Sequence, residues 1–333
     1  MLIFRSNGSF KIVQFTDIHW KLGLEDDQRS ASFMAHVIEW ERPDLVVVTG
    51  DMIDKKECPD PLEGFASAAA PLCKSGIPWA FVFGNHERES GAAVEQFAAL
   101  LQSLPHSLYQ PGPDNVHGAS NYVLKVQSNR SEKQLGAVLY MLDSGAKTNR
   151  AFGGTEWLQR SQIDWYCMQS DHLTLSNRGE ALPSLAFFHI PFPEYNEVWD
   201  YGICYGLQQK AVDSPKINSG MFAAMLEKGD VMGTFTGHSH LNDYAGDMHG
   251  IRLVCSRLTG FGAKGPADYM RGARVIVLYE GERRFDTWQR LEDGSLYDQP
   301  PIHLPECSDP YGKRTLVKRE IADASSDDEK PVI

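Results

Sequence analysis

Buried-strand patterns that each end in metal- or proton-binding side chains constrain this chain more than any other feature. The clearest is Val46-Val47-Val48-Thr49-Gly50-Asp51-Met52-Ile53-Asp54. It opens as a continuous β-branched run, the pattern of a strand covered on both faces of a sheet. It breaks at Thr49-Gly50 and presents Asp51 just past the strand's carboxyl end, where open α/β proteins build their sites. Gly50 permits a sharp turn and a close approach there. Alone, such an aspartate reads as a cap for the next helix or turn.

Four other segments end the same way. The strand expected at 11–15 leads into Asp17-Ile18-His19, and that at 79–83 into Gly84-Asn85-His86-Glu87. The strand at 185–188 leads into His189, and that at 231–236 into Gly237-His238-Ser239-His240. Singly each is weak, because a lone strand-end histidine is more often a hydrogen-bonded rim residue than a ligand. Five in this order, each after a buried strand, leave little room for that reading. Two metal ions held close together need a bridging carboxylate, with imidazole, carboxylate and amide oxygen completing each shell. Such a set suits zinc, iron or manganese, and the absence of thiolates argues against a structural zinc site. In Asp-x-His and His-x-His, alternate side chains of an extended segment point the same way, so both can reach one centre.

Helical patterns at 30–40, 62–73 and 92–104 alternate with the first three strands, which argues for a parallel sheet with right-handed crossovers. The second half reads as more antiparallel, with strands at 122–126, 137–142, 251–255, 274–279 and 285–288 and helices at 159–169 and 221–228. Residues 192–219 read as a lid or rim, and Glu25-Asp26-Asp27 as a solvated helix start. The 333 residues, 42% hydrophobic and 23% charged, suit one large α/β domain over 1–317, followed by a disordered acidic tail over 318–333. A net charge of −12 argues against general nucleic-acid or anionic-membrane binding. It does not exclude an anionic substrate, because bound ions reverse the sign locally. No apolar run is long enough to span a bilayer, and the first residues lack signal-peptide architecture, so a cytoplasmic protein is expected unless a leader has been trimmed. Cys58, Cys73, Cys167, Cys204, Cys255 and Cys307 are scattered and read as free thiols.

The order D-x-H, G-D-x-x-D, G-N-H-E, H, G-H-x-H resembles the calcineurin-like metallophosphoesterase superfamily. The segments Phe188-His189-Ile190-Pro191-Phe192-Pro193-Glu194-Tyr195 and Gly237-His238-Ser239-His240-Leu241-Asn242-Asp243-Tyr244 look like its short purple-acid-phosphatase-like branch of plants and fungi. The likeness runs from about residue 9 to about residue 291. It implies an α/β fold, a four-layered α-β-β-α sandwich of two mixed sheets. It also implies a dinuclear metal-dependent hydrolase of phosphate esters, a phosphatase acting on monoesters. By motif, Asp17, His19, Asp51 and His240 would hold one ion, and Asp51, Asn85, His189 and His238 the other. The ions would be two divalent or mixed-valence metals (Fe, Zn or Mn).

The departure from the purple enzymes is at Asp54, where they carry tyrosine, and at His19, where they lack histidine. A purple ferric–tyrosinate centre is therefore not expected. The Asp-x-x-Asp spacing resembles the Ser/Thr protein phosphatases instead, although the arginine that follows there is Lys55 here. Water activated between the ions would attack phosphorus in line, with His86 as general acid. Asp54 is expected to accept from the His86 ring and hold it protonated. Asn85 and Arg88 are expected at the substrate phosphate, with a surface ion pair as the alternative for Arg88. The substrate would be a phosphate ester, either a small molecule or a phosphoprotein; oligomeric state is not readable. The competing readings are a cyclic-nucleotide or nuclease-type phosphodiesterase on the same site, and a non-catalytic metal-binding scaffold.

Overall fold

The computed structural model describes residues 1–131, 134–266 and 268–305. The expected tail over 318–333 lies outside the described residues.

The β-branched and aromatic runs pair into two mixed sheets. One has six strands in the order Leu296–Tyr297, Phe285–Leu291, Gly272–Tyr279, Ser9–Phe15, Leu45–Val48, Trp79–Phe81. Its last three strands are parallel and the others antiparallel. The other has nine, in the order Leu2–Ile3, Tyr122–Gln127, Leu135–Met141, Ser184–Phe187, Val231–Thr236, Ile251–Cys255, Ala245–Met248, Cys204–Tyr205, Ile302–His303. The expectation of an antiparallel-leaning second half is corrected here. The four central strands, from Leu135–Met141 to Ile251–Cys255, run parallel, and only the flanks hold antiparallel pairs. Helices over Arg160–Ser176 and Met221–Lys228 supply the crossovers that parallel pairing demands.

Side-chain alternation shows the layers. Leu185 and Phe187 face the core between the sheets, where Phe235 meets Phe285 with ring centroids 5.5 Å apart. Ala186 and Phe188 face the opposite way, toward Ile163, Tyr166, Phe222 and Met225 of those two helices. Leu45–Val48 is buried on both faces, its outer side covered by Phe33, Val37, Phe65 and Leu72 of the helices Glu25–Glu41 and Pro61–Ser75. The helix Glu25–Glu41 starts five residues before the expected position. Asp27 is buried rather than solvated, and its carboxylate accepts the N–H groups of Lys21, Gly23 and Leu24. The stretch expected to be a lid contains a helix, Glu194–Tyr201, and the short strand Cys204–Tyr205.

Register is what positions the site. Phe15, Val48 and Phe81 are neighbours across the parallel pairs, so the loops bearing Asp17, Asp51 and Asn85 leave the sheet side by side. Phe187 and Phe235 are likewise paired, so His189 and His238 leave the other sheet together. Gln14 fastens the two sheets beneath these loops. Its amide donates to Thr49 Oγ1 and the Thr236 carbonyl, and its Oε1 accepts from Ser256.

Candidate metal centre

The turns that carry the site are strained. Asp17, His19, Asp51 and His238 have φ of 54°, 52°, 52° and 67°, in the left-handed region that costs side-chain-bearing residues about 1–3 kcal/mol each. The segments are therefore not extended, and the alternation argument fails in part. Asp17 and His19 still converge, and His238 and His240 separate onto two clusters, the division that the motif resemblance implies. The turns persist because the surroundings over-determine them. Glu87 is fully buried, and its carboxylate accepts the N–H groups of Gly84, Asp51, Met52 and Ile53. Burial and the neighbouring Asp51 charge push the Glu87 carboxyl up to about 7, against the lowering effect of His189 and of those N–H donors. Gly84 leaves no room for a side chain, since a Cβ there would lie 2.3 Å from Asp51 Oδ1.

In the first cluster, His19 Nε2 and His240 Nε2 are 3.1 Å apart, and Asp17 Oδ1 is 3.2 Å from His240 Nε2. Asp17 Oδ2 accepts from Thr16 Oγ1 and from the His238 N–H. Asp17 Oδ1 is buried with no hydrogen-bond partner among the described residues. In the second cluster, His189 Nε2 is 3.1 Å from Asp51 Oδ2 and 3.3 Å from both Asn85 Oδ1 and His238 Nδ1. Asp51 Oδ2 also lies 3.7 Å from His19 Nε2, so one carboxylate oxygen serves both clusters, while its Oδ1 accepts the His86 N–H at 2.8 Å. A buried carboxylate oxygen without a donor, beside ring nitrogens aimed at one another, fits cations better than any protein partner. The donor set is nitrogen and carboxylate or amide oxygen, a set that suits divalent transition-metal ions.

The outward nitrogens fix the rings. His189 Nδ1 donates to the Thr49 carbonyl at 2.6 Å, and His240 Nδ1 lies 3.3 Å from the Lys264 carbonyl. His19 Nδ1 lies 3.5 Å from Asp54 Oδ2. Such partners set the tautomer and raise ligand basicity. Burial disfavours the charged His19 ring, but hydrogen bonds to Asp17 and Asp54 and the Asp51 charge hold it up at about 10. His189, likewise buried, is held at about 9 by Asp51. Burial works against the Asp51 anion too, yet His189 and His86 keep it well below the usual carboxylate range.

The expected Asp54–His86 pair is not formed. Asp54 serves His19, and His86 Nδ1 instead accepts the Lys55 N–H at 3.1 Å. Burial, with further lowering from His19 and Lys55, pushes the His86 ring down to about 4 despite Asp51. It is a neutral ring with its proton on Nε2, not a standing imidazolium. Arg88 is also redirected. Its guanidinium pairs with the buried Asp143, which also accepts the Ala119 N–H at 2.7 Å. Arg88 is thus engaged in an ion pair whose aspartate is buried and whose arginine side chain is 19% exposed. Glu87 was legible only as a letter of Gly-Asn-His-Glu; its position three residues past Gly84, at the start of the short helix Asn85–Arg88, was the available signal. A cavity of about 290 Å³ opens over the site, lined by His19, Asp54, Lys55, Lys56, Glu57, His86, His240 and Lys264. Among the described residues, Cys58, Cys73, Cys167, Cys204 and Cys255 are free thiols.

Comparison with known proteins gives the family and the fold. Residues 10–242 match the profile of the Calcineurin-like phosphoesterase family. The chain is 33% identical over 332 residues to Probable inactive purple acid phosphatase 29 of Arabidopsis thaliana, covering 89% of this chain and 85% of that one. It is 31% identical over 315 residues to Phosphatase DCR2 of Saccharomyces cerevisiae, covering 85% of this chain and 54% of that one. A dimetal phosphatase from Danio rerio superposes with a TM-score of 0.60 at 15% identity, over 88% of this chain and 98% of that one. A purple acid phosphatase from yellow lupin seeds superposes with a TM-score of 0.52 at 12% identity, over 87% and 53%. These likenesses place the fold as the four-layered phosphoesterase sandwich.

Proposed function

The chain belongs to the calcineurin-like phosphoesterase family, and from that premise we propose that it is a dinuclear metal-dependent phosphatase acting on phosphate monoesters. The observation that carries the reading is Asp51 Oδ2, shared between the Asp17–His19–His240 and His189–His238–Asn85 clusters, beside the orphaned Asp17 Oδ1. Two ions bound there would lower the pKa of water and neutralise charge on the phosphoryl oxygens.

The chain's own residues then have separable tasks. Asp51 spans both positions, Asp54 orients His19, and the Thr49 carbonyl orients His189. His86 faces the cavity as a neutral Nε2–H donor, suited to a hydrogen bond with a substrate oxygen. Lys56 and Lys264 on the cavity wall bring positive charge to the mouth beside Asp54 and Glu57, while Lys55 is paired with Glu89 at 2.6 Å; a substrate phosphate would meet the two lysines there. The word "inactive" in the plant relatives' names describes those proteins; in this chain each of the five motifs carries at least one aspartate, asparagine or histidine that can ligate a metal. Iron, zinc and manganese all fit the donors, and Asp54 in place of tyrosine supports a centre without the purple colour. Among the described residues no helix is long and apolar enough to cross a membrane.

The test is metal-reconstituted protein offered p-nitrophenyl phosphate, bis-p-nitrophenyl phosphate and cyclic nucleotides. Monoester turnover dependent on added metal is expected. Preference for the diester or the cyclic nucleotides would move the substrate class, and no turnover with two ions bound would favour a binding role.

A further inference from the structure

Each of the four imidazoles at the centre turns one nitrogen inward and one outward. Three of the outward nitrogens face acceptors on the framework described above: His189 the Thr49 carbonyl, His19 the Asp54 carboxylate, His240 the Lys264 carbonyl. The fourth, His238, directs Nδ1 toward His189, and its Nε2 faces Asp213 Oδ2 at 3.7 Å. Asp213 belongs to the strap 207–214, which follows the short strand Cys204–Tyr205 of the nine-stranded sheet.

The strap is stapled rather than loose. Leu207 is bonded twice to Asp243: its N–H donates to the Asp243 carboxylate, and its carbonyl accepts the Asp243 N–H. The buried Asn242 side chain accepts from Gln209 N–H and donates to the Lys210 carbonyl. Asn196 accepts the Val212 N–H at 2.8 Å and donates to the Val212 carbonyl and to Ser214 Oγ. The Ser214 N–H closes back on the Val212 carbonyl at 3.0 Å, so Asp213 is the tip of a tight turn whose Val212 is buried in the core. The backbone that carries this 65%-exposed carboxylate is thereby held at one place relative to His238.

We propose that Asp213 is a positioning residue for His238: the Asn196-clamped strap presents its carboxylate to Nε2, which turns Nδ1 toward the second ion and couples the strap to that ion's affinity. The inference rests on the dinuclear reading of the centre and does not depend on phosphatase activity. A carboxylate behind a ligating imidazole favours the tautomer with its proton on the outer nitrogen and makes the inner nitrogen the more basic donor.

The experiment is a titration of metal-stripped wild type, Asp213→Ala, Asp213→Asn, Asn196→Ala, His238→Ala and the double variant Asp213→Ala/His238→Ala with Mn²⁺ or Zn²⁺, beside the thermal midpoint of each metal-free protein. Wild type is expected to take two ions. In Asp213→Ala, one ion weakens by about 10–100-fold while the other and the metal-free midpoint stay unchanged. Asn196→Ala, which keeps the carboxylate but frees the strap, shows a smaller loss at the same ion. On the His238→Ala background, Asp213→Ala has no further effect, since its partner is gone. Wild-type affinities in both Asp213 variants, or an equal weakening of both ions with a lowered midpoint, would overturn the role. Fewer than two ions in the wild type would overturn it together with the dinuclear centre. Two ions without phosphatase activity would overturn only the proposed reaction.

Discussion

His86 shows how one hydrogen bond decides a residue's chemistry. Because Nδ1 accepts from the Lys55 N–H, the ring needs a proton only on Nε2, and its buried position keeps it neutral above about pH 4. A neutral imidazole donates a hydrogen bond but is a poor proton source near pH 7. His86→Ala should therefore lower kcat by about 10²–10³-fold, the effect of losing one transition-state donor, with both ions retained. The loss should be similar for phenyl esters across a range of leaving-group pKa. A deficit that grows steeply with leaving-group pKa would show instead that His86 delivers a proton. Asp54→Asn acts elsewhere, through His19. It should weaken one ion by about 10–100-fold and leave the leaving-group dependence of kcat unchanged. An effect on that dependence, measured in protein saturated with metal, would return Asp54 to His86.

At the scale of elements, the strand ends were legible and the turns that follow them were not. Apolar runs at 185–188 and 231–236 announce buried strands because both faces of a parallel sheet are covered, and the structure has Ser184–Phe187 and Val231–Thr236 there. The polar residues after them announced the site together rather than singly, since five buried strands in this order each ending in an aspartate, asparagine or histidine exceed what caps and rim hydrogen bonds need. Side-chain direction was lost because it depends on φ. His238 turns left-handed, so His238 and His240 reach different clusters, the split that the motif resemblance implied and period-two reasoning did not. The short strands Leu296–Tyr297 and Ile302–His303 carry too few residues for any period to register. What holds the turns is close contact between neighbouring loops, and Gly84 tests it. Its φ is ordinary, so Gly84→Ala adds only the contact with Asp51. The substitution should cost about 1–3 kcal/mol of stability and displace Asp51 enough to lose metal. Full stability with two bound ions would mean that the loops have slack the packing does not suggest.

Across the whole molecule, the centre is a seam. Asp17, His19, Asp51 and Asn85 follow strands of the six-stranded sheet, while His189, His238 and His240 follow strands of the nine-stranded one. Without ions, protonated His19 and His189 supply the positive charge that joins the two sets to Asp17 and Asp51. Both rings have folded pKa values raised above the ordinary histidine value, to about 10 and about 9. Their contribution is thus fully present below about pH 6.5 and is lost progressively as pH rises to 9–10. Ions replace those protons, because a ligating imidazole must be deprotonated, so loading releases protons and strengthens as pH rises. The two effects run in opposite directions. The thermal midpoint of the metal-free protein should fall between pH 6.5 and 10, and the gap between loaded and metal-free midpoints should widen over the same range. At a free-ion concentration 100 times Kd, one site adds about 2.7 kcal/mol to folding stability, enough to resolve the gap by calorimetry. Titration at pH 7.5 in buffers of different ionisation enthalpy should register net proton release, lost in a His19→Ala/His189→Ala variant. A gap that stays constant from pH 6.5 to 9, with no proton release, would mean that the imidazoles are neutral before the ions arrive and that the seam is held by packing alone.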